Sequence, residues 1–99
     1  MIRYTTPTIT FDLPFEASYL TGAYITIVQQ DVSLEKTLED CTASEKTLSV
    51  TLTQEETGTL KAHRTATIQL RCLGSDGKAY ASQQFELGIE DVLKKGVIE

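Results

Sequence analysis

The residues able to do chemistry are few and far apart. His63 is the only histidine, so any imidazole acid–base step or Cys–His nucleophile must use it. Lys61 and Arg64 flank it, and no carboxylate adjoins it in sequence. A solvent-exposed histidine at the start of a strand is the expected reading. Cys41 and Cys72 are the only cysteines, and neither stands in a C-x-x-C pair, so zinc and redox motifs have no support. Cys72 falls on the apolar parity of its segment and reads as a small core hydrophobe. Glu39 and Asp40 beside Cys41 raise its thiol pKa, which argues against a reactive nucleophile. The carboxylates pair as Glu39-Asp40, Glu55-Glu56 and Glu90-Asp91. None has the alternating oxygen spacing of a calcium loop, so solvated surface charge is their expected role. No G-x-G-x-x-G, phosphate loop or G-x-S-x-G occurs. These residues predict no catalytic, cofactor-binding or metal-binding site, and no cofactor.

What must position these side chains is a set of strands. Apolar residues alternate with period two, which places them on one face of an extended segment. Ile9, Phe11 and Leu13 share one face, as do Leu48, Val50 and Leu52, and Ala66, Ile68, Leu70 and Cys72. Over residues 79–89 the same parity collects Ala79, Ala81, Phe85, Leu87 and Ile89. Residues 23–29 and 32–38 are weaker strands, and residues 40–43 suit a short edge strand. Threonine dominates the polar faces because its branched Cβ suits a pleated surface. Its spacing does not align from segment to segment, so β-propensity explains it.

Turn chemistry agrees. Ser75-Asp76-Gly77 is a hairpin signal, Gln30-Asp31 a tight connection, and Ser44-Glu45-Lys46 another reversal. Pro7 and Pro14 bracket the first strand at positions where a missing N–H costs little. Thr53-Gln54-Glu55-Glu56 fits a capping box and predicts one helical turn crossing between sheets. The fold class expected is all-β: a two-sheet antiparallel sandwich, immunoglobulin-like, with one short helical turn and a short C-terminal tail. A small closed barrel is the alternative. The chain of 99 residues holds one domain. Residues 90–99 read as an acidic start, a short helical turn, a basic end and a Gly96 stop, followed by apolar residues that either fold back or dock on a neighbour.

Nine Lys and Arg against fourteen Asp and Glu give a net charge of −5, with the basic residues scattered singly. Nucleic acid and anionic membranes are therefore not expected partners. No apolar run has the ~18–20 residues of a membrane helix, and no secretory leader is visible. Two cysteines then fit free thiols in a reducing compartment, with an inter-sheet disulfide as the rival. Tyr24 and Tyr80 lie on parities opposite the main core and, with Val92, Leu93, Val97 and Ile98, are the candidate interface residues.

The segments Lys46–Thr57 and Thr65–Gly77, together with the closing run from Ile89 to Ile98, resemble the small β-sandwich proteins encoded in the structural gene clusters of tailed bacteriophages and prophages. The likeness spans about Thr8 to Ile98, and Leu52-Thr53-Gln54-Glu55-Glu56-Thr57 and Glu90-Asp91-Val92-Leu93 are its more particular parts. The resemblance implies a non-enzymatic structural or adaptor role in the tail, baseplate or head–tail region. It implies other phage structural proteins as partners, homo-oligomer formation, and residence in the bacterial host cytoplasm during assembly and then in the virion. A carbohydrate- or surface-ligand-binding sandwich, with Tyr19, Tyr24 and Tyr80 converging, is the competing expectation.

Overall fold

Alternation becomes architecture in eight strands. The structure, a computed structural model, describes Met1–Glu99. The strands are β1 (Thr8–Asp12), β2 (Leu20–Gln29), β3 (Val32–Thr37), β4 (Cys41–Ser44), β5 (Thr47–Thr51), β6 (Thr65–Gly74), β7 (Ala79–Ala81) and β8 (Phe85–Gly88). They form two antiparallel sheets: three strands in the order β1-β5-β4, and five in the order β3-β2-β6-β7 with β8 also on β6. The chain changes sheet after β1, after β3 and after β5. That pattern of switches is the immunoglobulin-like arrangement. The small sheet lacks a strand beyond β1, where constant-type domains carry one.

The inner faces meet as the alternation dictates. Phe11 of β1 and Leu13 just after it, with Leu48 and Val50 of β5 and Leu52 just beyond, face Ala23, Ile25 and Ile27 of β2 and Ala66, Ile68 and Leu70 of β6 in one buried cluster. The outer face of the small sheet is all Thr and Ser apart from Asp12. Contrary to the spacing expected from sequence, its hydroxyls do align across strands: Thr8 Oγ1 lies 2.8 Å from Thr51 Oγ1, and Thr10 Oγ1 lies 2.9 Å from Ser49 Oγ. Strand pairing, invisible in spacing along the chain, brings them level.

The helical turn forms where the capping box placed it. Helix α1 (Gln54–Gly58) starts at Thr53, whose side chain accepts from the Glu56 N–H at 3.1 Å while Glu56 accepts from the Thr53 N–H at 2.8 Å. Lys36 of β3 reaches Glu56 at 2.7 Å and ties the turn to the large sheet. One expectation fails. The segment 90–96 makes no helical turn; Glu90 instead bridges Ile2 in parallel, and Asp91 turns its carboxylate onto its neighbours. Both thiols are free, as expected, and the rival inter-sheet disulfide does not form: Cys72 sits on β6, but Cys41 sits on β4 rather than on β1.

The parity of residues 79–89 also breaks. Arg71 pairs with Ala81 and Ile68 with Phe85, so Ser82–Gln84 spend three residues where β6 spends two. This bulge flips the face of everything before it. Ser82 covers the break: its N–H donates to Leu70 O at 2.8 Å and its Oγ accepts from the Leu70 N–H at 3.0 Å. Ala79 and Ala81 therefore face outward, and Tyr80, level with buried Cys72, faces inward.

Candidate functional site: three contact surfaces

The first surface is an edge of the core left uncovered. Three strands cannot cap five, and the empty place beyond β1 leaves the inner face of β7 and the start of β8 only partly covered. Phe85 points inward, level with Ile68, yet is 47% exposed. Tyr80 partly fills the gap by packing on Phe15, with ring centroids 5.2 Å apart, and Phe15 meets Tyr19 edge-on at 5.2 Å. A cleft of about 170 Å³ remains between Phe11, Leu13 and Phe15 on one side and Leu70, Cys72 and Tyr80 on the other. Gly74 is required here, because a Cβ would strike the Tyr19 ring. The Tyr19 hydroxyl has its pKa raised by Asp76, by partial burial and by Tyr80, so it stays protonated.

The second surface is the outer face of the large sheet. Tyr24 of β2 and Arg71 of β6 are register partners, flanked by Leu73, Ala79 and Ala81, with Val28 two rows further along β2. Tyr24 is 53% exposed and Leu73 44%. Arg71 makes no ion pair and no side-chain hydrogen bond. Antiparallel sheets that face water normally keep that side polar, as the small sheet does. Here apolar side chains interrupt it.

The third surface is the closing segment, held by a polar clasp. Arg3 pairs with Asp91 at 3.0 Å and donates to Gly58 O at 2.9 Å. Asp91 also pairs with Lys95 and accepts from the Val92 N–H at 2.9 Å. Further on, Gln54 accepts from the Ile98 N–H at 2.9 Å and donates to Ile98 O at 3.2 Å. Lys95, the Val92 N–H and Arg3 hold the Asp91 carboxyl at about 2, against partial burial pushing it up. Because this is below its unfolded value of about 3.9, the clasp contributes stability above about pH 4 and loses it as pH falls towards about 2. Asp91→Asn should accelerate hydrogen exchange at residues 90–98 at neutral pH while leaving β2 and β6 protected. Unchanged exchange would show that the ion pairs hold nothing.

These geometries sort the candidates. Tyr24 is exposed on the outer face, as the alternation placed it. Tyr80 is corrected to the inner side by the bulge. Val92 is half-buried at the clasp, Leu93 is fully exposed, and Val97 and Ile98 are exposed with only the Ile98 backbone held. They do not form one patch: the closing segment leaves β8 beside Thr65, at the start of β6, whereas Tyr80 pairs near its end. Tyr19 and Tyr80 meet around Phe15 inside, and Tyr24 lies on the other face, so the three tyrosines make no common platform. Phe85 and Arg71 were missed. The only signals were Val28 and Leu73, apolar residues on otherwise polar parities.

The chemical groups stay apart as well. His63 is exposed with a left-handed φ of 64°, its N–H bound to Ile89 O at 2.7 Å. Burial raises the Cys72 thiol, and burial followed by Asp40 raises that of Cys41. No three His, Cys, Asp or Glu side chains gather as a metal site, and no helix is long and apolar enough to cross a membrane. Comparison with protein-family models, curated proteins and solved structures finds no match for the chain.

Proposed function

We propose that the chain is a non-enzymatic structural or adaptor protein of a tailed bacteriophage or prophage, working through protein–protein contacts in the virion assembly. The observation that carries this is Phe85: a core-facing aromatic, level with Ile68, left 47% exposed beside a free sheet edge. Unpaired edges and open apolar faces recruit partner chains, often as an added strand. The phage resemblance supplies the partner class, namely other structural proteins of the particle, and the setting, host cytoplasm and then virion.

The test uses tailed particles purified from the bacterium that carries the gene. The chain should be found in them by mass spectrometry, and Phe85→Asp, still folded by circular dichroism, should be incorporated at least about tenfold less well, as a lost central aromatic contact implies. Particles that lack the chain, or that take up the variant as well as the native protein, would overturn the proposal.

A further inference from the structure

We infer that a second copy of this chain docks on the outer face of the five-stranded sheet, related by a two-fold axis parallel to the strands and passing between β2 and β6. This rests on the contact role proposed above but uses the opposite face from Phe85. Tyr24 and Arg71 are register partners on those two strands. A two-fold axis between them therefore lays Tyr24 of each copy over Arg71 of the other. An Arg guanidinium over a tyrosine ring is an attractive pair, made twice here by symmetry. Arg71 is available for it, since it makes no ion pair and no side-chain hydrogen bond within its own chain, and Tyr24 is 53% exposed.

Neighbouring rows fit the same operation. Gly22 is level with Leu73, so the exposed Leu73 of one copy meets the bare backbone at Gly22 of the other, large against small. Val28 is level with Thr67, which pairs hydrophobe with threonine methyl. At the rim, Glu86 and Ser33 occupy opposite ends of that row, so the carboxylate faces a hydroxyl and no like charges are opposed. Central Tyr and Arg with a polar rim is the composition of a contact hot spot. The area is of the right order: β2 and β6, ten residues each, span about 33 Å, while β3 has six residues and β7 with β8 seven. Their footprint is about 500 Å² per copy, or about 1,000 Å² in all, which is where specific interfaces with good complementarity begin. The outer face of the small sheet, all hydroxyls and one carboxylate, offers no such anchor.

Sedimentation equilibrium of the full chain over a concentration series tests this. The native chain should dimerise reversibly. Y24R, which sets Arg on Arg, should weaken the dimer at least about thirtyfold, as loss of a hot-spot pair implies. R71Y should weaken it less. The swap Y24R/R71Y recreates each cross-copy pair in reverse and should recover most of the affinity lost in Y24R. All these positions are exposed, so circular dichroism should report intact folding. A native chain that stays monomeric throughout, a dimer indifferent to Y24R, or a swap no better than Y24R would overturn the inference, as would a monomer whose Tyr24 is needed for binding on a glycan array. Monomeric native chain that still enters particles would leave the contact role standing and defeat only this dimer.

Discussion

Leu48→Ala is expected to lower the free energy of unfolding by about 2–5 kcal/mol, the range for a large-to-small change in a closed core. Leu48 is wholly buried on the central strand of the small sheet, level with Phe11 on one side and Ala43 on the other. The layer above the large sheet is only three strands wide, so few neighbours can move in to fill the space. A domain of this size has about 5–15 kcal/mol of net stability. The loss should therefore appear as a melting temperature lower by roughly 10–30 °C. Thr67→Ala, on the outer face of β6, should cost well under 1 kcal/mol. Equal losses at the two positions in a urea titration would reverse the assignment of inside and outside.

Gln29→Leu should cost about 2–3 kcal/mol although it removes no volume. Gln29 ends β2 and is buried. Its side-chain amide reads both backbone groups of Lys61: Oε1 accepts from the N–H and Nε2 donates to the carbonyl at 2.9 Å. This pins the segment between α1 and β6 to the end of β2, where no strand is available to do so. Leucine would fill the space and leave a donor and an acceptor unpaired, and unpaired groups cost more than their bonds contributed. Hydrogen exchange at Lys61 should rise with the loss of stability. A leucine variant as stable as the native chain would mean that water replaces the amide at no cost.

Much of the fold can be read from the order of residues. The inner faces of β1, β5 and β6 follow from strict alternation, α1 from Thr53 and Glu56, and the β6–β7 turn from Asp76-Gly77, where Gly77 adopts φ 84°. These signals are local, and local physics decides them. The failures share one cause, namely dependence on a second segment. The bulge at Ser82–Gln84 exists because Ser82 finds Leu70 across the sheet, and without it Tyr80 reads as an outward residue. The closing segment reads as a helical turn because its charges are ordered like one, but Arg3 and Gln54, distant in sequence, hold it in an irregular course with a single bridge from Glu90 to Ile2. Phe85 looks like ordinary core, and only the width of the opposing sheet leaves it open. Of the exposed apolar surfaces, Tyr24 is legible by parity, and Leu73 and Val28 are legible as exceptions to it. Arg71 gained meaning only from its register with Tyr24.

The most direct test of a sandwich built for contact is hydroxyl-radical footprinting of the free chain, at a concentration where it is monomeric, against the same chain inside purified particles. Phe85 and Tyr24 should be readily oxidised when free and shielded when assembled, while Leu93 on the clasped segment serves as an internal reference in the free chain. Identical oxidation of Phe85 and Tyr24 in both states would contradict the claim that these two faces are where the protein meets its partners.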